Sequence, residues 1–300
     1  MPELPEVEVV RRGVEDVITG ARIARVSVLD SRSLKRHPGP VEDFVARLTG
    51  AVVTAAVRRG KFLWFPLKGT HTAVVCHLGM SGQVLLGDTE SDFGSHLRVL
   101  IELTTRGGED LRVGFVDQRI FGSLAIDELV HTSDGHPGGF GSEEPLVPLS
   151  VAHIARDPLD PNFDEGVWSK RLRSKHTDIK RALLDQNLIS GIGNIYADEA
   201  LWATKRHYLH PTHRMSAADT RLLLQEVRAV LRKALAEGGT SFDQQYVNVN
   251  GQSGYFAHSL EAYGRDGQPC SRCGATIHRE PFMNRSSHRC PRCQRVPRTR

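Results

Sequence analysis

Pro2 followed at once by Glu3 is a residue pair able to do covalent chemistry. Removal of Met1, which a small second residue permits, turns Pro2 into a free secondary amine. Such an amine attacks an electrophilic carbon, and an adjacent carboxylate can carry the protons that the attack displaces. An α-amino group titrates at about 7.7–8.0, so a nucleophilic fraction exists near pH 7. Alone, a Met-Pro start describes a frayed terminus equally well.

Two further constellations bear on chemistry. Cys270-x2-Cys273 and Cys290-x2-Cys293 are separated by sixteen residues. Each pair offers two thiolates to one tetrahedral Zn2+, and the spacer suits a β-hairpin. Sites of this kind are structural, so one structural zinc is expected and no catalytic metal. Between residues 179 and 201, two apolar-periodic stretches flank Ser190-Gly191-Ile192-Gly193-Asn194. The glycines permit tight turns, Asn194 stands where a helix N-cap belongs, and a helix N-terminus seats phosphate. By spacing alone this is also a plain helical hairpin. Charge shifts the balance: from Arg265 to Arg300 nine arginines face two acids, in a chain whose net charge is only +4. Such a tail reads as a polyanion-binding module.

The elements that must position these groups follow from periodicity. Val7, Val10, Val14 and Val17 predict a helix behind Pro5, with Gly20 as its end. Short β-like segments are read at 21–29, 51–57, 62–67, 72–78, 83–86, 97–103 and 111–116, predicting an antiparallel sandwich or barrel. Residues 132–148, rich in Gly, Ser and Pro, read as a loop. Helical spacing then appears at 167–173, 178–186, 195–203 and 216–237, the last with a Ser216/Asp219 capping box and Gly238 as a stop. The fold class is α+β in two domains: an N-terminal β-sandwich with a flanking N-terminal helix over 1–150, and a helical domain over 151–260 carrying a zinc-ribbon hairpin over 261–300. No apolar run reaches membrane-spanning length, and Cys76 is a lone thiol in an apolar run. A cytoplasmic monomer without membrane partner, organic cofactor or disulfide framework is expected.

Taken in order, Pro2-Glu3-Leu4-Pro5-Glu6-Val7-Glu8, Arg59-Gly60-Lys61-Phe62-Leu63, His77-Leu78-Gly79-Met80-Ser81-Gly82, the 179–201 stretch, Gly254-Tyr255-Phe256 and the terminal ribbon resemble the formamidopyrimidine-DNA glycosylase/endonuclease VIII family. Leu4 and the 77–82 stretch resemble its formamidopyrimidine branch. The resemblance implies a glycosylase and apurinic/apyrimidinic lyase that removes 8-oxoguanine and formamidopyrimidines from damaged duplex DNA in base excision repair. Oxidised pyrimidines, or DNA binding without catalysis, are the alternatives. Pro2 would be the nucleophile, Glu3 the proton carrier with Glu6 in support, and Lys61 and Arg285 would act beside the lesion. Met80, Arg119 and Phe121 would fill the void left by the extruded nucleotide, and His77, Lys180, Asn194 and Arg285 would contact DNA. Residues 240–256 resemble a loop closing over a flipped purine. The chain departs from the family pattern at Ile120, where arginine is common, and at Asn284, where glycine is common. It is also longer at 204–209.

Overall fold

The computed structural model describes residues 2–240, 249 and 256–297. The chain forms two compact units, Met1–His153 with Gly238–Gly254, and Ile154–Glu237 with Tyr255–Arg300. The cysteine hairpin thus shares a unit with the helices, and a segment near 240 returns to the first unit. The loop expected over 240–256 lies outside the described residues except for Thr240, Val249 and Phe256.

The first unit opens on α1 (Leu4–Ile18). Val7, Val10, Val14 and Ile18 are its core face, so Ile18 rather than Val17 closes the stripe. Gly20 follows at φ 82°, a left-handed turn that a side chain would resist. Then come β1 (Arg22–Val28), α2 (Val41–Leu48), β2 (Val57–Arg59), β3 (Phe62–Pro66), β4 (Thr72–His77), β5 (Gly82–Gly87), β6 (Leu97–Thr104), β7 (Asp110–Asp117), β8 (Ser123–His131) and β9 (Leu146–Pro148). They build two antiparallel sheets in the orders β1-β6-β7-β5 and β2-β3-β4-β8-β9. Ile23, Val99 and Phe115 of one sheet, Leu63, Val74 and Ile126 of the other, and the α1 stripe share one core. Burial raises the Cys76 thiol in that core to about 12, which keeps it a packing residue.

Three readings change. The segment 51–57 is not one strand: Val52 and Val53 make only single bridges, and ladder pairing begins at Val57. Helix α2 has its own apolar spacing at Val41, Phe44, Val45 and Leu48. The supposed loop 132–148 ends in β9, and β8 precedes it.

The second unit contains α3 (Glu165–Ser174), α4 (Ile179–Leu183), α5 (Asn194–Ala203), α6 (Ala217–Ala236), β10 (His278–Phe282) and β11 (Arg285–Arg289). The capping box forms, with Asp219 N donating to Ser216 Oγ at 3.1 Å and Ser216 N to Asp219 Oδ2 at 3.0 Å. Helix α4 is shorter than 178–186: Asp185 N turns back to Ala182 O and Leu188 N to Asp185 O, three-residue turns in place of the helical ladder. Gln186 then staples the second turn, its Nε2 donating to Ile192 O and its Oε1 accepting from Gly191 N, both at 2.9 Å. The longer stretch at 204–209 packs on the ribbon. Tyr208 Oη donates to Glu280 Oε2 at 2.8 Å, its ring meets Phe282 edge-on, and Gln294 Nε2 donates to Arg206 O.

Candidate functional site

Pro2 is buried, so the terminus is not frayed. Glu3 N donates to Glu6 Oε2 at 2.8 Å, the returning half of a capping box that fixes where α1 begins. The other oxygen of Glu6 accepts from Thr240 N at 2.8 Å and Thr240 Oγ1 at 2.9 Å. Both Glu3 and Glu6 are 2% exposed. One carboxylate therefore pins the Pro2-Glu3 backbone from two sides, a role that Thr240 shares and that its remote position hid from the sequence.

Lys61 occupies the two-residue turn between β2 and β3. Gly60 takes φ 58°, as the first central residue of a type II′ hairpin requires. Beneath it, Arg58 Nε donates to Glu8 Oε2 at 2.7 Å and Arg58 donates to Gly60 O at 3.1 Å. The turn is thereby tied to α1, the element that begins beside Pro2. Arg58 and Glu8 lock each other while 1% exposed. Burial opposes the Glu8 charge, yet Arg58 and Arg11 hold its carboxyl below the usual range.

His77 ends β4. Burial first, then the charges of Arg36, Lys35 and Lys61, push its imidazole down to about 4. Gly79 N donates to Nδ1 at 3.1 Å, so the neutral ring carries its proton on Nε2, a donor suited to a phosphate oxygen. Lys35 and Arg36 belong to no motif in the sequence; they join this cationic cluster only through folding. A folded-state pKa below the unfolded 6.5 means that the unfolded chain binds the extra proton first as pH falls. Stability is accordingly lost from about pH 6.5 down to about 4, and His77→Gln is expected to flatten that part of a stability–pH profile. Urea midpoints measured across this range check it.

Met80, Arg119 and Phe121 come together. Arg119 donates to Met80 O at 3.5 Å, and its guanidinium lies 5.6 Å from the Phe121 ring centroid. Met80 and Phe121 are 44% and 48% exposed, unusual for large apolar side chains. Asp117, fully buried, organises the loop: Ser81 Oγ donates to Oδ1 at 2.5 Å, Arg119 N to Oδ1 at 3.2 Å and Gly122 N to Oδ2 at 2.7 Å. A Cβ on Gly79 would lie 2.5 Å from the Phe121 carbonyl carbon, so Gly79 is needed for the two turns to meet. Ile120 takes φ 56°, a strained conformation for a β-branched residue, and Lys35 Nζ caps its carbonyl at 2.8 Å.

In the second unit, Asn194 is the first residue of α5 and Gly193 is its N-cap, which corrects the N-cap assignment. The Asn194 Oδ1 is buried and unpaired among the described residues, leaving Nδ2 as the group it can offer an anion. Lys180 also needs correction. Its side chain is fully buried, its ammonium donates to Asp198 Oδ1 at 2.6 Å and Ser286 O at 3.0 Å, and the Phe282 ring lies 5.4 Å away. It is an internal tie between α4, α5 and β11, because a buried ammonium must be neutralised where it sits. Asp198 further accepts from Ser287 Oγ and His288 N. Glu199, the next residue, accepts three backbone N–H groups from 261–263.

Arg285 begins β11 and is exposed, beside Asn284 Oδ1 at 3.3 Å. The left-handed residue of this turn is Met283, at φ 54°, rather than Asn284. Not every arginine of the tail is free for a polyanion: Arg289 is buried in a bidentate pair with Glu280. Arg272 stacks on Trp202 at 3.9 Å and donates to the Trp202 carbonyl, in the last turn of α5, at 3.0 Å. The Sγ atoms of Cys270, Cys273, Cys290 and Cys293 lie within 4.8 Å of one another, with two pairs at 3.4 and 3.5 Å. Tetrahedral thiolates around zinc stand about 3.8 Å apart, so the four sulfurs are gathered closely enough to share one Zn2+. A chelator is expected to release one equivalent of zinc and unfold the hairpin, since binding energy in such sites is folding energy. Zinc release followed beside the hairpin's amide NMR signals checks it.

Residues 1–124 match the formamidopyrimidine-DNA glycosylase N-terminal domain, 154–245 the formamidopyrimidine-DNA glycosylase H2TH domain, and 267–296 the zinc finger found in FPG and IleRS. Formamidopyrimidine-DNA glycosylase of Leifsonia xyli subsp. xyli is 57% identical over 297 residues, covering 99% of this chain and 100% of that protein. A variant of Lactococcus lactis FPG in complex with Fapy-dG-containing DNA superposes with a TM-score of 0.81 at 29% identity, covering 98% of this chain and 100% of that one. MutM in complex with carbocyclic 8-oxo-G-containing DNA gives 0.79 at 29% identity over the same shares. With three domains matched in order along nearly its whole length, the chain belongs to the formamidopyrimidine-DNA glycosylase family of DNA glycosylase/AP lyases.

Proposed function

We propose that this chain excises oxidised purines, 8-oxoguanine and formamidopyrimidines, from duplex DNA through an iminium formed at Pro2. The carrying observation is the buried terminus, in which Glu6 holds the Pro2-Glu3 backbone against α1 and Thr240. The Pro2 nitrogen, freed of Met1, attacks C1′ of the damaged nucleotide. The C1′–N bond to the base breaks and the base leaves with a proton. Opening of the sugar ring, with Glu3 protonating the ring oxygen, gives the iminium. That cation draws electrons from C2′, whose proton is lost as the 3′-phosphate departs; a second elimination expels the 5′-phosphate. Water then releases Pro2.

Support for DNA as partner comes from the solved relatives, which hold DNA bearing Fapy-dG or carbocyclic 8-oxo-G. A nucleotide extruded for chemistry at C1′ leaves a gap, and an exposed Phe121 beside Arg119 suits a wedge and a partner for the orphaned base. Lys61, His77, Asn194 and Arg285 are the proposed phosphate contacts.

The test presents the enzyme with duplexes carrying 8-oxoguanine or an oxidised pyrimidine, with and without borohydride. The expected result is cleavage of the purine duplex and a covalent adduct on reduction. Preference for the pyrimidine overturns the substrate class. Binding with no adduct on either duplex overturns the chemistry.

A further inference from the structure

We infer that residues 136–144, the turn between β8 and β9, act as a strap that positions Lys61 relative to the α1 terminus. The inference rests on the reaction proposed above. Strand β2 has three residues and stands at the edge of its sheet, a weak base for a precisely placed turn. The strap supplies its missing neighbour. Arg58 N donates to Phe140 O and Phe140 N to Arg58 O, both at 2.9 Å, so the edge strand gains a hydrogen-bonded pair on its open side. Arg59 Nε donates to Gly138 O at 2.7 Å, and the Phe140 ring lies 5.4 Å from the Arg58 guanidinium.

Gly139 and Gly141 are required by this approach, and Gly138 by the strap's own packing on β9. A Cβ would fall 1.9 Å from Leu146 O at Gly138, 2.3 Å from Arg58 O at Gly139 and 2.1 Å from Ala56 O at Gly141. Gly141 also takes φ 87°. The segment's composition, which reads as a loose loop, is therefore what lets backbone lie on backbone. Arg58 is the point where three elements meet. Its backbone pairs with the strap, and its guanidinium binds both Glu8 of α1 and the Gly60 carbonyl next to Lys61. Restraining Arg58 fixes the Lys61 turn against the helix that begins beside Pro2. In an attack at carbon, misplacement by about 1 Å costs roughly a hundredfold in rate.

Two variants test it. Phe140→Ala removes the ring over Arg58. Because Thr132 N already donates to Pro145 O at 2.9 Å, residues 134–143 can also be replaced by a two-residue turn. Each is compared with the unaltered enzyme in single-turnover borohydride trapping on an 8-oxoguanine duplex and in binding to a duplex carrying a tetrahydrofuran abasic analogue. Trapping at saturating duplex is expected to slow about tenfold or more while the Kd weakens by only a few-fold, since one of several phosphate contacts shifts, with Phe140→Tyr restoring the rate. Trapping at the unaltered rate in both variants overturns the strap, as does a parallel loss of rate, affinity and melting temperature. Failure of the unaltered enzyme to trap at all instead overturns the chemistry proposed for Pro2.

Discussion

Adding one residue ahead of Pro2 is expected to abolish both the borohydride adduct and base release, by at least about 10³-fold, while DNA binding persists. The extension makes the Pro2 nitrogen an amide, whose lone pair is delocalised and cannot form an iminium. A positioned nucleophile carries an effective molarity of about 10⁵–10⁸ M, so its removal leaves only the slow attack of water. Glu3→Gln is expected to slow the reaction by about 10²–10⁴-fold, the range for a lost general acid–base. Because the Gln side chain keeps an oxygen to accept the Glu6 N–H and Glu6 still accepts the N–H of residue 3, the Gln variant keeps the start of α1 in place. Gel-shift affinity and single-turnover trapping, measured on the same samples, separate the two effects. An extended enzyme that still trapped DNA would show that a different amine is the nucleophile.

The second large effect concerns stability. Asp198→Ala is expected to destabilise the helical unit by about 3–5 kcal/mol, the cost of leaving a buried ammonium without its counter-charge. Lys180 and Asp198 are 0% and 1% exposed, and the carboxylate also receives Ser287 Oγ and His288 N from β11. Lys180→Met is expected to cost less, because Asp198 then keeps those donors and the Met side chain fills the stem's volume. Chemical denaturation gives both values. The same Lys180→Met variant separates an internal tie from a phosphate contact. A lost phosphate contact would lower the slope of log affinity against log salt by about 1. For a buried Lys180 the slope is expected to remain unchanged.

These two cases mark how far the sequence reaches. Pro2-Glu3, the two C-x2-C pairs, the Ser216/Asp219 cap and the α1 stripe are local patterns. Each is set by neighbours a few residues apart, and each stands in the structure where spacing placed it, save that Ile18 takes the place of Val17 at the end of the stripe. Helix α2 is also local in this sense, with apolar spacing at Val41, Phe44, Val45 and Leu48 between short strand-like segments. Lys180 shows the opposite: its residue type and its place in a DNA-binding motif suggest a phosphate contact, and only the fold reveals Asp198 eighteen residues on.

The terminal proline with its glutamate was therefore determined by the sequence as a chemical possibility. Its conversion from a possible frayed end into a fixed group was decided by Glu6 reaching Thr240, 234 residues away. The same holds for the strap over Arg58 and for the burial and cationic neighbours that keep His77 neutral. The physical reason is common to all three. A chain pattern encodes which faces are apolar and where turns are allowed, through interactions of short range. Which buried charge meets which partner, and which backbone lies on which glycine, depends on contacts between segments distant in sequence that exist only after both have folded.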